Sequence, residues 1–187
     1  MNLDARSCVS SAQRGFTLVE LLIVVVILAI LAGIVIPQFS SSTSDAQLAA
    51  LDSNLATVRS AIELYRAQHV NVYPGTTTSI IGTCASGSPG TGNAGSAQAL
   101  GDQLKYPSNA AGQTCTVPSA TFKYGPYLRN GVPSEPVSNS SSVALTTSGA
   151  PIVPSAAGNG WSYDTVSGQF VVNSNAADAN GKLLYTH

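Results

Sequence analysis

Glu20 is the most unusual chemical group in this sequence because it lies inside an apolar run. The run begins at Phe16 and continues to Ile36. A carboxylate at the centre of a bilayer costs about 2.5–3.5 kcal/mol, so it is rarely kept without a partner. The nearest basic residues, Arg14 and Arg59, both lie outside the run. We therefore expect the partner of Glu20 to come from another molecule.

The other reactive residue types do not form a catalytic set. His69 and His187 are the two histidines, and neither lies at metal-ligand spacing from another ligand type. The many serines include no Gly-x-Ser-x-Gly elbow. The sequence therefore predicts a protein that is not an enzyme and that uses no cofactor.

Three carboxylates in the second half of the chain leave calcium binding open. Asp178 begins a stretch, Asp-Ala-Asn-Gly, that resembles part of a calcium loop but lacks the remaining ligands. Glu135 and Asp164 are the other candidates, and backbone carbonyls could add oxygen ligands. We assign no metal site from the sequence.

The apolar run has the length of a membrane-spanning helix. Residues 16–36 would form a helix about 31 Å long, close to the ~30 Å thickness of the hydrocarbon core. Arg6 and Arg14 precede the run, which places the N-terminus in the cytoplasm by the positive-inside rule. A secretory signal would have an apolar core of only about 7–15 residues. A plain single-span anchor explains the length and the orientation but not Glu20.

The helical pattern continues beyond the apolar run. Apolar residues recur at steps of three and four and form one stripe: Leu48, Leu51, Leu55, Val58, Ile62 and Tyr65. The sequence therefore predicts one helix over residues 16–67, with an amphipathic second half at 37–67. Pro37 lacks a backbone donor and clashes with the carbonyl of Gly33, so we expect a kink there.

Residues 68–187 read as a globular α+β region. A Gly/Ser/Thr-rich loop over 76–101 overlaps a short predicted helix at 97–104. Strand-like runs follow at 121–124, 142–147, 160–164 and 169–173, and residues 182–185 could add another. Residues 164–168 resemble a hairpin connection. We expect an antiparallel sheet of about four strands to cover the stripe of the long helix, with Trp161 and Tyr163 as core residues.

The cysteines predict one disulfide. Cys8 precedes the apolar run, whereas Cys84 and Cys115 follow it. If the run spans a membrane, Cys8 stays on the reducing side and the other two form the single possible pair on the oxidising side.

The charge of the chain argues against nucleic acid as a main partner. Charged residues make up 9% of the chain and the net charge is −1. Strong binding to phosphates requires many basic groups. We therefore expect no strong nucleic-acid binding.

The N-terminal sequence resembles the class III signal peptides of type IV pilins and type II secretion pseudopilins. A short basic leader, residues 1–15, ends in Gly15, and the aromatic Phe16 follows it. Glu20 is then the fifth residue of the mature chain, and Pro37 is the twenty-second. The resemblance covers about residues 14–75, since it includes these features and the later stretch Tyr73-Pro74-Gly75.

The resemblance implies processing and assembly. A prepilin peptidase would cut between Gly15 and Phe16 and methylate the new amine of Phe16. The subunit would then wait in the inner membrane, surrounded by lipid, for an assembly platform. During assembly Glu20 would attract the Phe16 amine of a neighbouring identical subunit, which is largely cationic at neutral pH.

The resemblance leaves three functions open. The first is a major pilin in a helical type IV pilus on the cell surface. The second is a pseudopilin of a type II secretion system. The third is a DNA-uptake or adhesin pilin that binds a ligand through its outer surface.

Overall fold

The computed structural model of the protein describes residues 15–154 and 156–187, and only the backbone of residues 34–41, 157 and 159. The predicted leader up to Arg14, and with it Cys8, lies outside the described residues. Two compact units make up the chain: the first ends at Thr43, and the second, which we call the head unit, is Ser44–His187.

The two helices and three of the five predicted strands form in the order predicted from the sequence. Helix α1 is Leu18–Gln68 and helix α2 is Ala97–Lys105. Strands β1, β2 and β3 are Val143–Thr146, Ala157–Asp164 and Phe170–Ser174, and a 3-10 helix follows at Leu184–Thr186. A long N-terminal helix followed by a small sheet confirms the α+β class.

The second half of α1 forms one wall of the head unit's core. Its predicted stripe is buried except for the half-buried Leu48, and Leu51, Val58 and Tyr65 are fully inaccessible to solvent. The stripe packs in one cluster with residues of α2 and of the sheet. A helix with apolar side chains at this spacing must bury that face against another layer, which here is the sheet and α2.

The end of α1 is fixed by a reversal of the backbone. Val70 and Asn71 have φ values of 53° and 69°. The Asn71 N–H donates to the carbonyl oxygen of Arg66 over 3.0 Å, and the Arg66 Nε donates to the Asn71 Oδ1 over 2.8 Å. Positive φ is uncommon for a β-branched residue such as Val70, so these bonds hold the chain in a turn that it would rarely adopt alone.

The sheet has three strands in the order β1-β2-β3 and is mixed. Strand β2 pairs antiparallel with β3, in the register Trp161 opposite Val172, which confirms the predicted hairpin. Strand β1 pairs parallel with β2, so the expectation of a wholly antiparallel sheet was wrong. A parallel pair requires the chain to return to the same end of the sheet, and it does so between Thr146 and Ala157.

Two of the predicted strands do not form in the part of the chain that the structure describes. The segment 121–124 makes an isolated bridge, Ser108 to Tyr124, and the segment 182–185 makes one from Ala177 to Leu183 before the 3-10 helix begins. Each segment has one paired position and then turns away, so neither extends the sheet.

The aromatic residues of the sheet lie in the core, as predicted. Trp161, Tyr163 and Phe170 are fully buried. The Trp161 Nε1 donates to the carbonyl oxygen of Pro133 over 2.8 Å, and the Tyr163 hydroxyl donates to that of Pro74 over 3.1 Å. Buried indole and phenol groups thus have the partners that their polar atoms require.

Asp164 is a buried carboxylate that organises the connections around the sheet. Its Oδ1 accepts from the N–H groups of Val166 and Ser167, and its Oδ2 accepts from the N–H groups of Ser148 and Gly149. The hydroxyls of Thr146 and Ser148 also donate to Oδ2. Burial alone would raise the pKa of Asp164, but these hydrogen bonds outweigh it and hold the pKa well below its ordinary value of 3.8.

We predict that Asp164 makes the stability of the head unit depend on pH. Because its folded pKa is depressed, its contribution is complete above the ordinary value of 3.8 and is lost as the pH falls below that value. Asp164→Asn should lower the free energy of unfolding at pH 7 by about 1–3 kcal/mol, since an amide cannot accept from all these donors. It should also flatten the acid-side loss of stability, measured by urea unfolding with Trp161 fluorescence between pH 7 and 2.

The matched control is Asp45→Asn, because Asp45 is exposed on α1. Its unfolding curves should follow those of the wild-type protein at every pH. An acid-side slope unchanged in Asp164→Asn would contradict the assignment.

The loop between α1 and α2 is held by polar side chains and by one disulfide. Cys84 and Cys115 are bonded, which confirms the predicted pair. The buried Asp102 accepts from the Ser79 hydroxyl over 2.7 Å and from the Thr91 N–H over 2.8 Å. Ser96 caps α2 by accepting from the N–H of Ala99. The segment between α1 and α2, which has little regular structure, is thus joined to α2 through Asp102 and Ser96.

We predict that removal of the disulfide destabilises the head unit without removing its fold. The bond closes a loop with a sequence separation of 31 residues, and Cys84→Ser with Cys115→Ser should lower the free energy of unfolding by about 3–4 kcal/mol in the chain-entropy model. Urea unfolding of the detergent-solubilised chain measures this. Cys8→Ser is the control and should leave the midpoint unchanged; equal midpoints for all three proteins would contradict the prediction.

Candidate functional site

The candidate site is the start of α1, where the predicted assembly residues lie. Gly15 and Phe16 precede the helix, which begins at Leu18, and Glu20 is its third residue. The Phe16 side chain is 78% exposed. Glu20 is also exposed, so both groups named in the proposed pairing are accessible to another molecule.

Thr17 caps the helix and fixes the position of Glu20. Its Oγ1 accepts from the Glu20 N–H over 3.2 Å, and its carbonyl oxygen accepts from the Leu21 N–H over 3.2 Å. This arrangement places the carboxylate in the first turn, where the helix dipole favours negative charge. Thr17 was missed in the sequence, although Thr-x-x-Glu before an apolar run is the pattern of a capping box.

Glu20 has no ion pair among the residues that the structure describes. It is the single charged residue between Gly15 and Ser44. Among residues 15–154 and 156–187, the ion pairs are Arg66 with Glu63 and contacts of His187 with Asp52 and Asp178. None of them includes Glu20, so the described part of the chain does not neutralise it.

The apolar side chains around Glu20 are exposed on every face of the helix. Those from Phe16 to Leu31 are 48–85% exposed, and this group comprises Phe16, Leu18, Val19, Leu21, Leu22, Ile23, Val24, Val25, Val26, Ile27, Leu28, Ile30 and Leu31. Soluble monomers rarely expose so large a continuous apolar surface. A surface of this kind is typical of one that meets lipid or another protein.

Gly33 and Pro37, the residues at which the sequence predicts a kink, lie within α1. An added Cβ at Gly33 would meet nothing within 4 Å. Helix α1 continues across Gly33 and Pro37, and a bend at this point stays a prediction. In the described part of the chain, no helix has the length and hydropathy needed to cross a membrane. The span assigned to 16–36 includes side chains that the structure does not describe, and it also stays a prediction.

The carboxylates considered for calcium are used within their own loops. Glu135 accepts from the N–H groups of Val137 and Ser138. Asp178 accepts from those of Asn180 and Lys182 through Oδ1. Over the ranges that the structure covers, no three His, Cys, Asp or Glu side chains come together as a metal site. These groups therefore serve as turn-forming acceptors.

His69 is a buried histidine in an aromatic cluster. Its ring stacks on that of Tyr65, with 3.8 Å between the ring centroids, and its Nδ1 lies 2.9 Å from the carbonyl oxygen of Tyr65. The Nε2 lies 3.0 Å from the hydroxyl of Ser108. Since a carbonyl can only accept, Nδ1 carries the proton, and burial lowers the pKa of His69. The ring therefore joins α1 to the loop at Ser108 as a structural group.

We predict that Thr17 controls the order of the first turn of α1. Thr17→Ala should increase the rate of amide exchange at Glu20 and Leu21 by about threefold to thirtyfold, the range that corresponds to a cap worth ~0.5–2 kcal/mol. Hydrogen–deuterium exchange of the detergent-solubilised protein measures this. Thr17→Ser keeps the acceptor oxygen and should exchange like the wild type; equal protection in Thr17→Ala would show that the cap is unimportant.

Comparison with known proteins finds a motif and several relatives that match the N-terminal segment of the chain. The Prokaryotic N-terminal methylation motif matches residues 10–36. The chain is 38% identical over 64 residues to the type II secretion system core protein G of Pseudomonas aeruginosa, which covers 34% of this chain and 44% of that protein. It is 47% identical over 53 residues to the type IV major fimbrial protein FimA of Dichelobacter nodosus, covering 28% of this chain and 34% of that protein.

A third relative is the type IV narrow pilus major component PilA5 of Thermus thermophilus. It is 46% identical over 55 residues, which are 29% of this chain and 47% of that protein. The chain thus spans less than half the length of these relatives. No solved structure matches it.

Proposed function

We propose that this protein, which carries the N-terminal methylation motif and whose homologues are type IV pilins and type II secretion core protein G, is the major pilin of a type IV pilus-like filament. The observation that carries the proposal is Glu20, an unpaired carboxylate within an apolar surface that has no cover in the described part of the chain. The protein is then a structural subunit and not an enzyme.

Assembly uses the two exposed groups at the start of α1. Cleavage between Gly15 and Phe16 by a prepilin peptidase creates a cationic amine on Phe16, which is then methylated. The subunit is held in the inner membrane by residues 16–36, with its N-terminus in the cytoplasm and its head unit outside. At the assembly platform Glu20 pairs with the Phe16 amine of a neighbouring subunit.

Packing of the apolar helices then forms the core of the filament, which extends from the cell surface. In this core the two charges are removed from water, so each depends on the other. Leaving one member of such a buried pair alone costs about 3–5 kcal/mol. The pair therefore selects the register of neighbouring helices more than it adds stability.

We predict that Glu20→Ala and Glu20→Gln abolish filaments while the subunit stays in the membrane. A loss of about 3–5 kcal/mol at each contact would reduce assembly by more than a hundredfold. Electron microscopy of cells measures the filaments, and immunoblotting of membranes measures the subunit that stays there. Val19→Ala is the matched control because it changes a neighbouring side chain and keeps the charge; normal filaments from Glu20→Ala would refute the pairing.

The second candidate is a pseudopilin of a type II secretion system. The observation that favours it is the 38% identity to core protein G over 64 residues. Deletion of the gene, electron microscopy and mass spectrometry of the purified subunit separate the two candidates. Long surface filaments that begin at methylated Phe16 support the pilin, whereas short periplasmic fibres and a secretion defect support the pseudopilin.

A further inference from the structure

The exposed carboxylates of the head unit all lie on α1. Asp102, Glu135 and Asp164 are buried and accept hydrogen bonds, and the Asp178 side chain is 4% exposed. The exposed ones are Asp45, Asp52 and Glu63. They are separated by 7 and 11 residues, about two and three helical turns, so they form one line along the helix. We call these three residues the acidic stripe.

Two basic groups lie beside the acidic stripe, and Arg59, seven residues after Asp52, keeps its charge in that line because its acceptors are neutral. The Arg59 guanidinium donates to the carbonyl oxygens of Phe170 and His187 over 3.0 and 2.9 Å. The Arg66 Nη1 lies 3.2 Å from the Glu63 Oε2. Asp52 contacts the His187 ring, and no Lys or Arg pairs with Asp45 or Asp52 within the described residues. Asp45 is therefore available to an external cation, whereas the exposed Asp52 already has its Oδ1 3.0 Å from the His187 Nδ1.

Three of the four exposed cations of the head unit lie in one part of the chain, and the fourth is Lys182. Lys105, Lys123 and Arg129 are exposed, and none of them forms an ion pair among the residues that the structure describes. The chain from Gln103 to Ser134 contains no Asp or Glu. We call the three cations the basic patch.

The basic patch is held together by backbone contacts. The N–H groups of Tyr127 and Leu128 donate to the carbonyl oxygen of Leu104 over 3.0 and 2.8 Å, which joins the segment of Arg129 to that of Lys105. Ser108 and Tyr124 exchange two backbone hydrogen bonds, which brings in the segment of Lys123. The three cations therefore lie on segments that these hydrogen bonds join.

The patch and the stripe lie on opposite sides of α1. The Tyr127 hydroxyl donates to the Gln68 Oε1 over 2.7 Å, and the Asn54 Nδ2 donates to the carbonyl oxygen of Ser134 over 3.2 Å. At about 100° per residue, Gln68 is ~140° around the helix from Glu63, and Asn54 is ~160° from Asp52. The segment that carries the basic patch therefore contacts the side of α1 away from the acidic stripe.

We propose that the basic patch of one subunit docks on the acidic stripe of the next subunit; this inference rests on the proposed filament. Two different surfaces on opposite sides of one chain give a head-to-tail contact, which produces an open helix when the rotation does not close. Exposed ion pairs are individually weak, so the contact sets the orientation and register of the head units. A nucleic acid is a poorer match because three cations neutralise few phosphates.

Zero-length cross-linking of wild-type filaments tests the contact directly. A carbodiimide joins an amine to a carboxylate without a spacer, and peptide mass spectrometry should find Lys105 or Lys123 joined to Asp45 or Asp52. Within one subunit these groups lie on opposite sides of α1, so such a link must join two subunits. The link should disappear when the subunits are dispersed in detergent before the reaction; its absence from intact filaments would overturn the proposal.

Charge reversal tests the same contact in assembly. Lys105→Glu with Lys123→Glu should reduce sheared filaments about tenfold, which corresponds to about 1.4 kcal/mol. Adding Asp45→Lys and Asp52→Lys to that chain should restore them. Lys182→Glu is the control, since Lys182 is an exposed cation outside the basic patch. Urea unfolding of each variant separates loss of the contact from loss of the fold.

The outcomes distinguish this inference from the proposed function. Wild-type filaments together with normal assembly of the Lys105→Glu, Lys123→Glu chain would overturn the docking and leave the pilin function standing. Failure of the wild-type chain to form any filament would overturn both. If the reversal leaves filaments intact but abolishes binding of a fluorescent single-stranded oligonucleotide, the basic patch serves a nucleic acid and the proposal is wrong.

Discussion

The burial of one helical stripe under a small sheet is the interaction on which the head unit depends. Leu51, Leu55 and Ile62 of α1 are almost fully buried against residues such as Trp161 and Phe170. Each such side chain contributes about 1.5–3 kcal/mol when it leaves water. A sheet of three short strands is only marginally stable without a packed layer. The helix that is proposed to assemble the filament is therefore also the helix that stabilises the head.

Much of the head unit is irregular chain, and buried polar side chains replace secondary structure there. Asp102 binds the loop that precedes α2, Asp164 binds the connections beside the sheet, and Gln103 accepts from the Gly75 N–H over 2.6 Å. A buried backbone N–H without an acceptor is costly, so each loop path requires such a partner. This explains how a chain rich in Gly, Ser and Thr can fold around a small core.

The first unit has the opposite character, because its described apolar side chains are exposed and Glu20 has no ion pair within the described chain. The Thr17 cap fixes the first turn, so Glu20 is presented at a defined place beside Phe16. A surface that binds a second molecule needs an ordered backbone and exposed side chains, and the start of α1 has both. The head unit thus contains the core of the subunit, whereas the first unit presents the apolar surface that is proposed to associate with other subunits.

The sequence by itself determined the features that depend on local spacing. The period of apolar residues predicts α1 and its buried face, and the pair Cys84 and Cys115 follows from their position after the apolar run. The motif from Gly15 to Glu20 identifies the candidate site, and the Thr17 cap could also have been found from its pattern. Tertiary structure alone decided the parallel pairing of β1 with β2, the role of Asp164 as an acceptor for two loops, and the separation of exposed charges between two sides of α1. The physical reason is that these features join residues far apart in the chain, and the path of the loops between them is set by packing and hydrogen bonding that local spacing does not encode.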